Sequence, residues 1–451
     1  MYLSRIQIEN VRGFRSGSLG VDLDLRRPDG RFAGWTVIAG RNGTGKTTFL
    51  KAIAMAVGGL VRLYPLQQSF AGWIRAGQAE AGIGAHLHID PEHDRFGLEK
   101  GIPPEDTLEL SLKMRTMNSG PEPELTLGFS VFHMEQPESQ VNAFDGPWAS
   151  NPQGWFIAGY GSYRRLVGHT ADAQRLMSGS THVARLVSLF REDASLVESI
   201  QWLRELHLRR LENREGANEL LESVFELLND ELLPPPTRIT EVNSEGLWVE
   251  QRGVKLLLTE MSDGYRTMAA LVMDLVRHLH ATYPGFKLVE QGGRRVVPYP
   301  GVVLIDEVEL HLHVSWQQKI GFWLKEHFPN IQFIVTTHSP FVCQAADPKG
   351  LIRLPAPGEE KPAEHVSEAL YQTVVNGTVD EAVLTQLFGL EHVHSSQSER
   401  LRRRVAELEV RVLDGKASAE EREELERLVA KLPDTAGALV DRASRKFRLD
   451  E

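Results

Sequence analysis

The sequence predicts an α/β fold, with a mixed sheet at the core, an antiparallel β-subdomain, a helical insertion and a helical C-terminal tail. An apolar strand at residues 35–39 runs through a glycine-rich turn into a helical pattern that starts at Lys46. Two more apolar strands, residues 301–306 and 331–337, supply the rest of a buried core. Between residues 60 and 150 apolar and polar residues alternate, which favours antiparallel strands.

The first half of the chain is predicted to open with two strands, because residues 2–10 and 18–24 alternate apolar and polar side chains. After the glycine-rich turn, the helix is expected to span residues 46–57. Residues 156–165 are typical of a strand that runs into a loop containing glycine, and residues 182–230 are strongly helical in pattern.

The second half is predicted to start with a helix end at residues 234–236, because three successive prolines cannot continue a helix. A hairpin is expected at residues 238–258 and a helix at residues 267–281. A loop rich in glycine and arginine should follow near residues 291–296. Beyond about residue 350 the chain is expected to be helical and charged.

Composition narrows the class of protein. The 451 residues carry a formal net charge of −11, which argues against a surface generally coated with nucleic acid. Cys343 is the only cysteine, so disulfides within the chain and cysteine-ligated zinc are excluded. No run of residues approaches the roughly 18 apolar positions of a membrane helix, and the first residues do not follow a signal-peptide pattern. We therefore expect a cytoplasmic protein with no membrane partner.

A phosphate-binding loop is predicted at residues 40–47, which read Gly-Arg-Asn-Gly-Thr-Gly-Lys-Thr and match G-x-x-x-x-G-K-T between a strand and a helix. Glycines allow backbone N–H groups to turn toward phosphates, and a helix N-terminus favours anions. We expect ATP and Mg²⁺ here, with Lys46 on the β- and γ-phosphates and the Thr47 hydroxyl on Mg²⁺. The nucleotide-binding candidates of the loop are Asn42, Gly43, Thr44, Gly45, Lys46, Thr47 and Thr48. The alternative, a glycine-rich turn that binds nothing, is disfavoured by the two flanking elements.

The second half of such a site requires acidic residues at the end of a buried strand. The strand at residues 302–305 ends in Asp306 and Glu307, which are candidates for the Mg²⁺ ligand and the general base. The next strand ends before His338, which could contact the γ-phosphate. A single histidine in such a place is otherwise a structural residue.

A third motif, residues 261–266, reads Met-Ser-Asp-Gly-Tyr-Arg and precedes a predicted helix. Together with the phosphate loop, the acidic strand and His338, in this chain order, it resembles the signature motif of ATP-binding-cassette (ABC) ATPases. The resemblance implies an ABC-ATPase head in which Ser262, Asp263 and Gly264 act in trans on the nucleotide of a second copy. The alternative is that Ser262 only caps the following helix.

The same resemblance implies a homodimer that sandwiches two ATP molecules, with a higher oligomer as an open alternative. It also places Arg12 where the first hairpin of such heads approaches the adenine. Residues 306–313 resemble the Asp-Glu-Pro-Glu-Leu-His-Leu-His run of RecF-like and OLD-like ATPases, with Val308 in place of proline. SMC-type proteins are disfavoured, since no long coiled-coil arms separate the phosphate loop from the signature.

Residues 156–165, 185–196 and 387–391 resemble the ATPase subunit of the Septu anti-phage systems (PtuA) and its retron-associated relatives. The resemblance implies an ATPase whose nucleotide state regulates a separate HNH-type effector nuclease. Neither a TOPRIM pattern nor a His-Asn-His constellation occurs in the sequence, so no nuclease domain is expected in this chain. Two alternatives stay open: a RecF-like ATPase that acts on DNA directly, and a scaffold that binds ATP without hydrolysing it.

Five regions follow from the motifs and the resemblance. They are the N-terminal lobe of the ATPase head with the phosphate loop (1–60), the antiparallel β-subdomain (61–165), the helical insertion (166–233), the C-terminal lobe with the signature, the acidic strand and His338 (234–345), and the helical C-terminal region (346–451). In the last region Ser418 and Glu421 form a predicted capping box. Its helices carry apolar stripes that fit either hairpin packing or a partner protein.

Two weaker hypotheses concern metal and nucleic acid. His86 and His88 share one strand face near His93, a spacing compatible with a metal, although an exposed polar face is the better interpretation. Arg164 and Arg165, with arginines of the helical insertion, could contact phosphates of DNA or RNA. Charged helix faces are usually only solvated, so nucleic acid is a secondary partner hypothesis.

Overall fold

The structure, a computed structural model, describes residues 1–432 except residues 60–63, 68, 98–106, 118–119, 132–142, 150–151, 167, 169 and 180. The chain divides into two compact units, Met1–Ala382 and Val383–Glu451. The predicted boundary at residue 60 and the predicted tail beyond residue 432 lie outside the described residues.

Strands form the sheets of the first unit. In chain order the described strands are β1 (Tyr2–Glu9), β2 (Val21–Asp24), β3 (Gly34–Ala39), β4 (Glu80–His88), β5 (Leu108–Arg115), β6 (Glu124–Val131), β7 (Ile157–Tyr160), β8 (Arg238–Val242), β9 (Leu247–Gln251), β10 (Val254–Leu257), β11 (Val289–Gln291), β12 (Arg294–Val296), β13 (Gly301–Ile305), β14 (Ile331–Thr337), β15 (Leu351–Arg353) and β16 (Glu364–His365).

The core sheet has the strand order β16-β15-β3-β14-β13-β7. Its strands pair in parallel except for β15 with β16. Every residue of β13 and β14 is buried, as expected for parallel strands that are covered on both faces. Trp35 of β3 packs against Phe333 of β14 with ring centroids 5.5 Å apart. The predicted α/β class with a mixed core sheet is confirmed.

The second large sheet is antiparallel, in the order β2-β1-β4-β5-β6. Alternate residues of its strands are buried, for example Ile83 on β4 and Leu110 and Leu112 on β5, which is the period-2 pattern of a sheet covered on one face. The antiparallel strands that the alternating sequence predicts are therefore present. The sheet also includes β1 and β2, which were predicted in the N-terminal lobe, whereas β7, predicted within the β-subdomain, belongs to the core sheet.

Helices make up much of the rest of the described chain. In chain order the described α-helices are α1 (Lys46–Gly58), α2 (Ala171–Met177), α3 (Thr181–Ala184), α4 (Val187–Phe190), α5 (Val197–Leu211), α6 (Ala217–Asn229), α7 (Asp263–Thr282), α8 (Val314–His327), α9 (Pro340–Cys343), α10 (Glu368–Asn376), α11 (Val379–Val383), α12 (Ser396–Leu413) and α13 (Ala419–Val429). Helices α2 to α6 form the predicted helical insertion.

Three details differ from the sequence-based expectation. Helix α7 begins at Asp263 rather than at residue 267, because Ser262 already has N-cap geometry with φ −61° and ψ 150°. The expected loop at residues 291–296 is the hairpin of β11 and β12, whose turn uses Gly292 and Gly293 at φ +61° and +80°. The expected hairpin at residues 238–258 is a three-stranded sheet, β10-β9-β8.

The expectation of helix beyond about residue 350 is wrong for the start of that region. Residues 351–353 form β15, which pairs in parallel with β3, and β16 extends the same sheet edge. Leu351 and Ile352 are fully buried. A strand of three residues is too short to show a period, so pairing with β3 decides its conformation.

The described part of the second unit, residues 383–432, is helical, as predicted. Helices α12 and α13 pack as a hairpin, with Leu408 fully buried and the Arg404 guanidinium 2.7 Å from the Glu424 carboxylate. Ser418 and Glu421 form the predicted capping box at the start of α13. Hairpin packing of the two apolar stripes is therefore present within the unit.

Candidate nucleotide-binding site

The site lies at one edge of the core sheet. Four parallel strands, β3, β7, β13 and β14, present their carboxyl ends at this edge, where ligands of open α/β sheets bind. The first residues beyond these strands are Gly40, Gly161, Asp306 and His338. The topology therefore brings together three of the predicted motifs, which are separated by up to about 300 residues in the chain.

The phosphate loop joins β3 to α1. Gly43 and Gly45 have φ of +81° and +92°, a left-handed conformation that side chains with a Cβ rarely adopt. A Cβ at Gly45 would also lie 3.1 Å from the ring of Phe14. The buried Lys46 ammonium donates to the carbonyls of Gly40 at 2.8 Å and Arg41 at 3.0 Å. The loop thus folds around its own lysine.

Two features of this loop fit the phosphates of a nucleotide. The backbone N–H groups of residues 43–47 have no hydrogen-bond acceptor within the described part of the chain. Lys46 is the first residue of α1, so the positive end of the helix dipole lies at the same point. Burial lowers the pKa of Lys46, while the carboxylates of Asp306 and Glu307 oppose that shift. A phosphate group would provide the N–H groups with an acceptor and the ammonium with a counter-charge.

Asp306 connects the phosphate loop to the neighbouring strand. Its carboxylate accepts hydrogen bonds from the hydroxyls of Thr47 at 2.7 Å and of Thr336 at 2.6 Å. Only 4% of Asp306 is exposed, and these two hydroxyls satisfy one oxygen each. A hydroxyl and a carboxylate side by side are oxygen ligands of the kind that Mg²⁺ prefers. The Thr47 and Asp306 pair therefore fits the predicted metal role.

Glu307 follows directly and has an unusual backbone. Its φ is +44°, in the left-handed region that glutamate rarely occupies. Its N–H donates to the Thr336 hydroxyl at 2.8 Å. The neighbouring acid, Glu309, accepts from the Thr337 hydroxyl at 2.7 Å and from the N–H of His338 at 2.5 Å. The acidic turn is thus tied to the end of β14 at three points.

His338 lies at the end of β14 with its side chain exposed. Partial burial and the positive charge of Lys46 lower the pKa of its imidazole. The neutral form that this lowering favours at pH 7 can donate or accept a hydrogen bond.

The signature motif forms the start of α7. Ser262 occupies the N-cap position, but its exposed hydroxyl makes no capping hydrogen bond. Asp263 forms an ion pair with Arg266. A Cβ at Gly264 would lie 2.5 Å from the carbonyl oxygen of His311, so this glycine permits close contact with the turn that follows Glu307. Capping therefore does not account for the Ser262 hydroxyl.

The remaining predicted residues lie around the loop. Arg12 has φ +49°, and its guanidinium stacks 4.4 Å from the ring centroid of Trp73, so its cation faces that ring. Asn42 is exposed at the loop tip, whereas Thr48 is buried under it. The structure brings the residues of the phosphate loop, Asp306, Glu307 and His338 together.

Arg164, which the sequence suggested as a contact to nucleic-acid phosphates, is buried beside the candidate site. It is 2% exposed, so the hypothesis that it contacts nucleic acid is wrong. Its guanidinium donates to the carbonyls of Gly161 at 2.7 Å, Asp306 at 2.6 Å and Glu307 at 2.9 Å. Burial lowers its pKa to about 10, which still leaves it charged at neutral pH. Nothing in an Arg-Arg pair of the sequence distinguishes this buried residue from its exposed neighbour.

The weaker metal hypothesis has no support from the geometry. His93 bonds to the Asp90 carboxylate at 2.9 Å, and Asp94 accepts the N–H of Trp155 at 2.7 Å. Within the described residues, no group of three histidine, cysteine or acidic side chains could hold a metal ion. No described helix is both long and apolar enough to cross a membrane.

Comparisons with known families match both halves of the site. The family described as "AAA domain, putative AbiEii toxin, Type IV TA system" matches residues 179–344, and the family described as "AAA domain" matches residues 5–86. The SMC head domain from Thermotoga maritima superimposes with a TM-score of 0.43 at 16% identity, covering 81% of this chain and 100% of that one. A likeness of that size adds nothing to the fold described above.

Three curated relatives are similar in sequence. "Retron Ec83 probable ATPase" of Escherichia coli is 43% identical over 23% of this chain and 18% of its own length. "Septu protein PtuA" of Bacillus mycoides (strain KBAB4) is 26% identical over 75% of this chain and 38% of its own length. "Septu protein PtuA" of Bacillus thuringiensis is 32% identical over 30% of this chain and 33% of its own length. The matches thus span less than two fifths of each relative's length. Two segments of the chain thus match AAA-domain families, and the chain is similar in sequence to Septu PtuA proteins and to a retron ATPase.

Proposed function

We propose that this chain is the Mg²⁺-dependent ATPase subunit of a bacterial anti-phage defence complex, in which it regulates a separate HNH-type effector nuclease. The observation that carries the ATPase proposal is the hydrogen-bonded set Thr47, Asp306 and Thr336. These hydrogen bonds join the phosphate loop to the acidic end of β13. Glu307, the proposed general base, is the residue that follows Asp306.

In this proposal each side chain has a separate task. Lys46 and the backbone N–H groups of residues 43–47 would hold the phosphates, while Thr47 and Asp306 would hold Mg²⁺, which would neutralise charge during phosphoryl transfer. Glu307 would accept a proton from the attacking water as the water oxygen bonds to the γ-phosphorus and the bond to the leaving ADP oxygen breaks. The His338 imidazole would contact the γ-phosphate. The lowered pKa of His338 keeps it available as a neutral hydrogen-bond partner.

A head-to-head dimer is part of the same proposal. The exposed Ser262 hydroxyl, the start of α7 and Gly264 form a polar, positively polarised surface that no other described group of this chain caps. We assign this surface to the nucleotide held by a second copy. Asp263 orders the surface through its ion pair with Arg266. Higher oligomers built from such dimers remain open in this proposal.

The defence role rests on the names of the relatives, which are Septu and retron proteins. The separate nuclease is implied by the resemblance to the Septu ATPase subunit. Since the matched segments cover a minor part of those relatives, both statements about this chain are proposals. DNA or RNA is a secondary partner hypothesis.

Hydrolysis is tested by comparing the parent chain with Glu307→Gln and Lys46→Met. We expect Mg²⁺-dependent phosphate release from the parent, a loss on the order of 100-fold in Glu307→Gln with ATP binding retained, and loss of ATP binding in Lys46→Met. Lys51→Met, five residues further along α1, is the matched control, since its ammonium faces the ring of Phe190 at 5.4 Å. A parent chain that binds ATP but releases no more phosphate than Glu307→Gln would identify a non-hydrolysing scaffold.

The partner is tested by searching the neighbouring genes for an HNH-type nuclease and co-expressing it with this chain. We expect the two proteins to co-purify, and the nuclease activity of the complex to change between the parent and Lys46→Met. A chain that binds no such nuclease, while DNA stimulates its ATPase, would instead favour the RecF-like alternative.

A further inference from the structure

The turn after β13 holds Glu307 in a conformation that its own side chain disfavours. Its φ of +44° lies in the left-handed region, where a Cβ crowds the backbone. Residues in such a conformation persist only where surrounding groups fix them. The direction in which the Glu307 carboxylate points therefore depends on whatever fixes the two peptide groups around it.

Two side chains fix those peptide groups from opposite directions. Thr336 accepts the N–H of Glu307 at 2.8 Å. On the carbonyl side, Arg164 donates from Nη1 to the Asp306 carbonyl at 2.6 Å and from Nη2 to the Glu307 carbonyl at 2.9 Å. Nη2 also lies 3.5 Å from the carbonyl of Val308. One planar guanidinium therefore spans the whole turn.

Arg164 is itself held by the loop that follows β7. Its Nη1 donates to the Gly161 carbonyl at 2.7 Å, and the N–H of Gly161 donates to the Ser188 hydroxyl at 3.3 Å. A Cβ at Gly161 would lie 2.2 Å from the Ser188 carbonyl oxygen, so only glycine allows the loop to pack this closely on α4. The loop after β7 therefore fixes the Arg164 guanidinium independently of its bonds to the turn that contains Glu307.

We propose that Arg164 is a positioning residue for hydrolysis, which holds the backbone of Glu307 so that its carboxylate meets the attacking water. This inference rests on the proposed ATPase function and deepens it. Arg164 bonds to backbone carbonyls on both sides of the turn and to no phosphate-loop atom. Its loss should therefore lower kcat while ATP affinity is kept. Lysine should not replace it, because a single ammonium lacks the planar fork that reaches several carbonyls at once.

The test compares Arg164→Lys and Arg164→Gln with matched changes at Arg165, the exposed neighbour whose guanidinium lies 5.5 Å from the Tyr163 ring. For each variant we would measure kcat, KM for ATP, the Kd of a non-hydrolysable ATP analogue and the melting temperature. We expect both Arg164 variants to lose about 30-fold or more in kcat, with Kd within 3-fold of the parent. The Arg165 variants should retain both values.

Three results would overturn the inference: a folded Arg164 variant with parental kcat, a fall in kcat matched by an equal loss of ATP affinity, or failure of both Arg164 variants to fold. The last would assign Arg164 to the fold as a whole rather than to Glu307. The Glu307→Gln variant, measured alongside, separates this outcome from failure of the ATPase proposal itself. If the parent releases no more phosphate than Glu307→Gln, the ATPase proposal fails, whatever the Arg164 variants do.

Discussion

Thr47 and Asp306 lie 259 positions apart in the chain, and the hydroxyl of one donates to the carboxylate of the other at 2.7 Å. This bond joins the first helix after the phosphate loop to the end of β13. It brings together one group from each half of the predicted site. We assign the same two side chains to Mg²⁺, so a mutation of either one tests the metal site directly.

Thr47→Val should remove the metal-binding hydroxyl and keep the shape of the side chain. We expect a fall in kcat on the order of 100-fold and a higher Mg²⁺ requirement. Thr47→Ser, which keeps the hydroxyl, is the matched control and should stay within a few-fold of the parent. Steady-state phosphate release over a range of Mg²⁺ concentrations measures both. Equal activity of the Thr47→Val and Thr47→Ser variants would show that the Thr47 hydroxyl does not bind the metal.

Ser262→Arg should prevent closure of two heads on ATP and leave binding to one head intact, because a large cation would fill the surface offered to the partner's nucleotide. Light scattering with and without ATP, in the Glu307→Gln background, should show an ATP-dependent dimer that the Ser262→Arg change abolishes. Ser244→Arg, at an exposed turn, is the control and should still dimerise. If the Ser262→Arg chain still dimerised on addition of ATP, Ser262 would have only a local role at the start of α7.

Gly264→Ala should separate the start of α7 from the turn after Glu307, because the added Cβ would lie 2.5 Å from the His311 carbonyl oxygen. Overpacking against backbone costs about 1–3 kcal/mol, which chemical denaturation would detect. A fall in ATPase activity should accompany the loss of stability. Gly82→Ala is the control, since its Cβ would meet nothing within 4 Å. A stable, fully active Gly264→Ala chain would contradict the contact.

Acid should destabilise the first unit through His278, which is buried on α7. Burial lowers the pKa of its imidazole to about 4, although Asp274, 3.2 Å away, opposes that shift. Arg277 and Arg185 are the other charges near it. Since the unfolded chain protonates this group more readily than the folded one, stability is present above about pH 6.5 and falls as the pH drops toward 4.

At full protonation the loss of folding free energy from His278 is roughly 3 kcal/mol. Denaturant unfolding between pH 7 and pH 4.5 should show this slope in the parent chain, and His278→Gln should flatten it. If the slope is the same in both chains, other groups account for the acid sensitivity.

Local sequence patterns were sufficient to predict the phosphate loop and the acidic strand end. Each motif has fixed residue types at fixed spacing, since phosphate binding requires glycines in a left-handed conformation, such as Gly45, and a helix directly after them. The alternating residues of β4 and β5 likewise report burial on one face. These features depend on residues that are close together in the chain, so local sequence patterns are enough to predict them.

Features that depend on distant partners were not predictable. The three residues of β15 form a strand because β3 offers them a pairing edge. Arg164 has no sequence context that distinguishes a buried arginine from an exposed one, and its role appears only when the Asp306 and Glu307 carbonyls are placed beside it. The helix start at Asp263 was missed for a related reason, since Ser262 has N-cap backbone geometry without a side-chain bond to mark it.

The position of β3 between β14 and β15 also sets the order in which the site can be made. The strand that carries the phosphate loop ends at Ala39, yet its two neighbours end at Thr337 and Arg353. At synthesis rates of about 5–20 residues per second, β15, the second neighbour of β3, is synthesised roughly 15–60 s after β3 itself. A nascent chain that has just completed the phosphate loop therefore lacks both strands that flank β3 in the core sheet, and it lacks Asp306 and His338 as well.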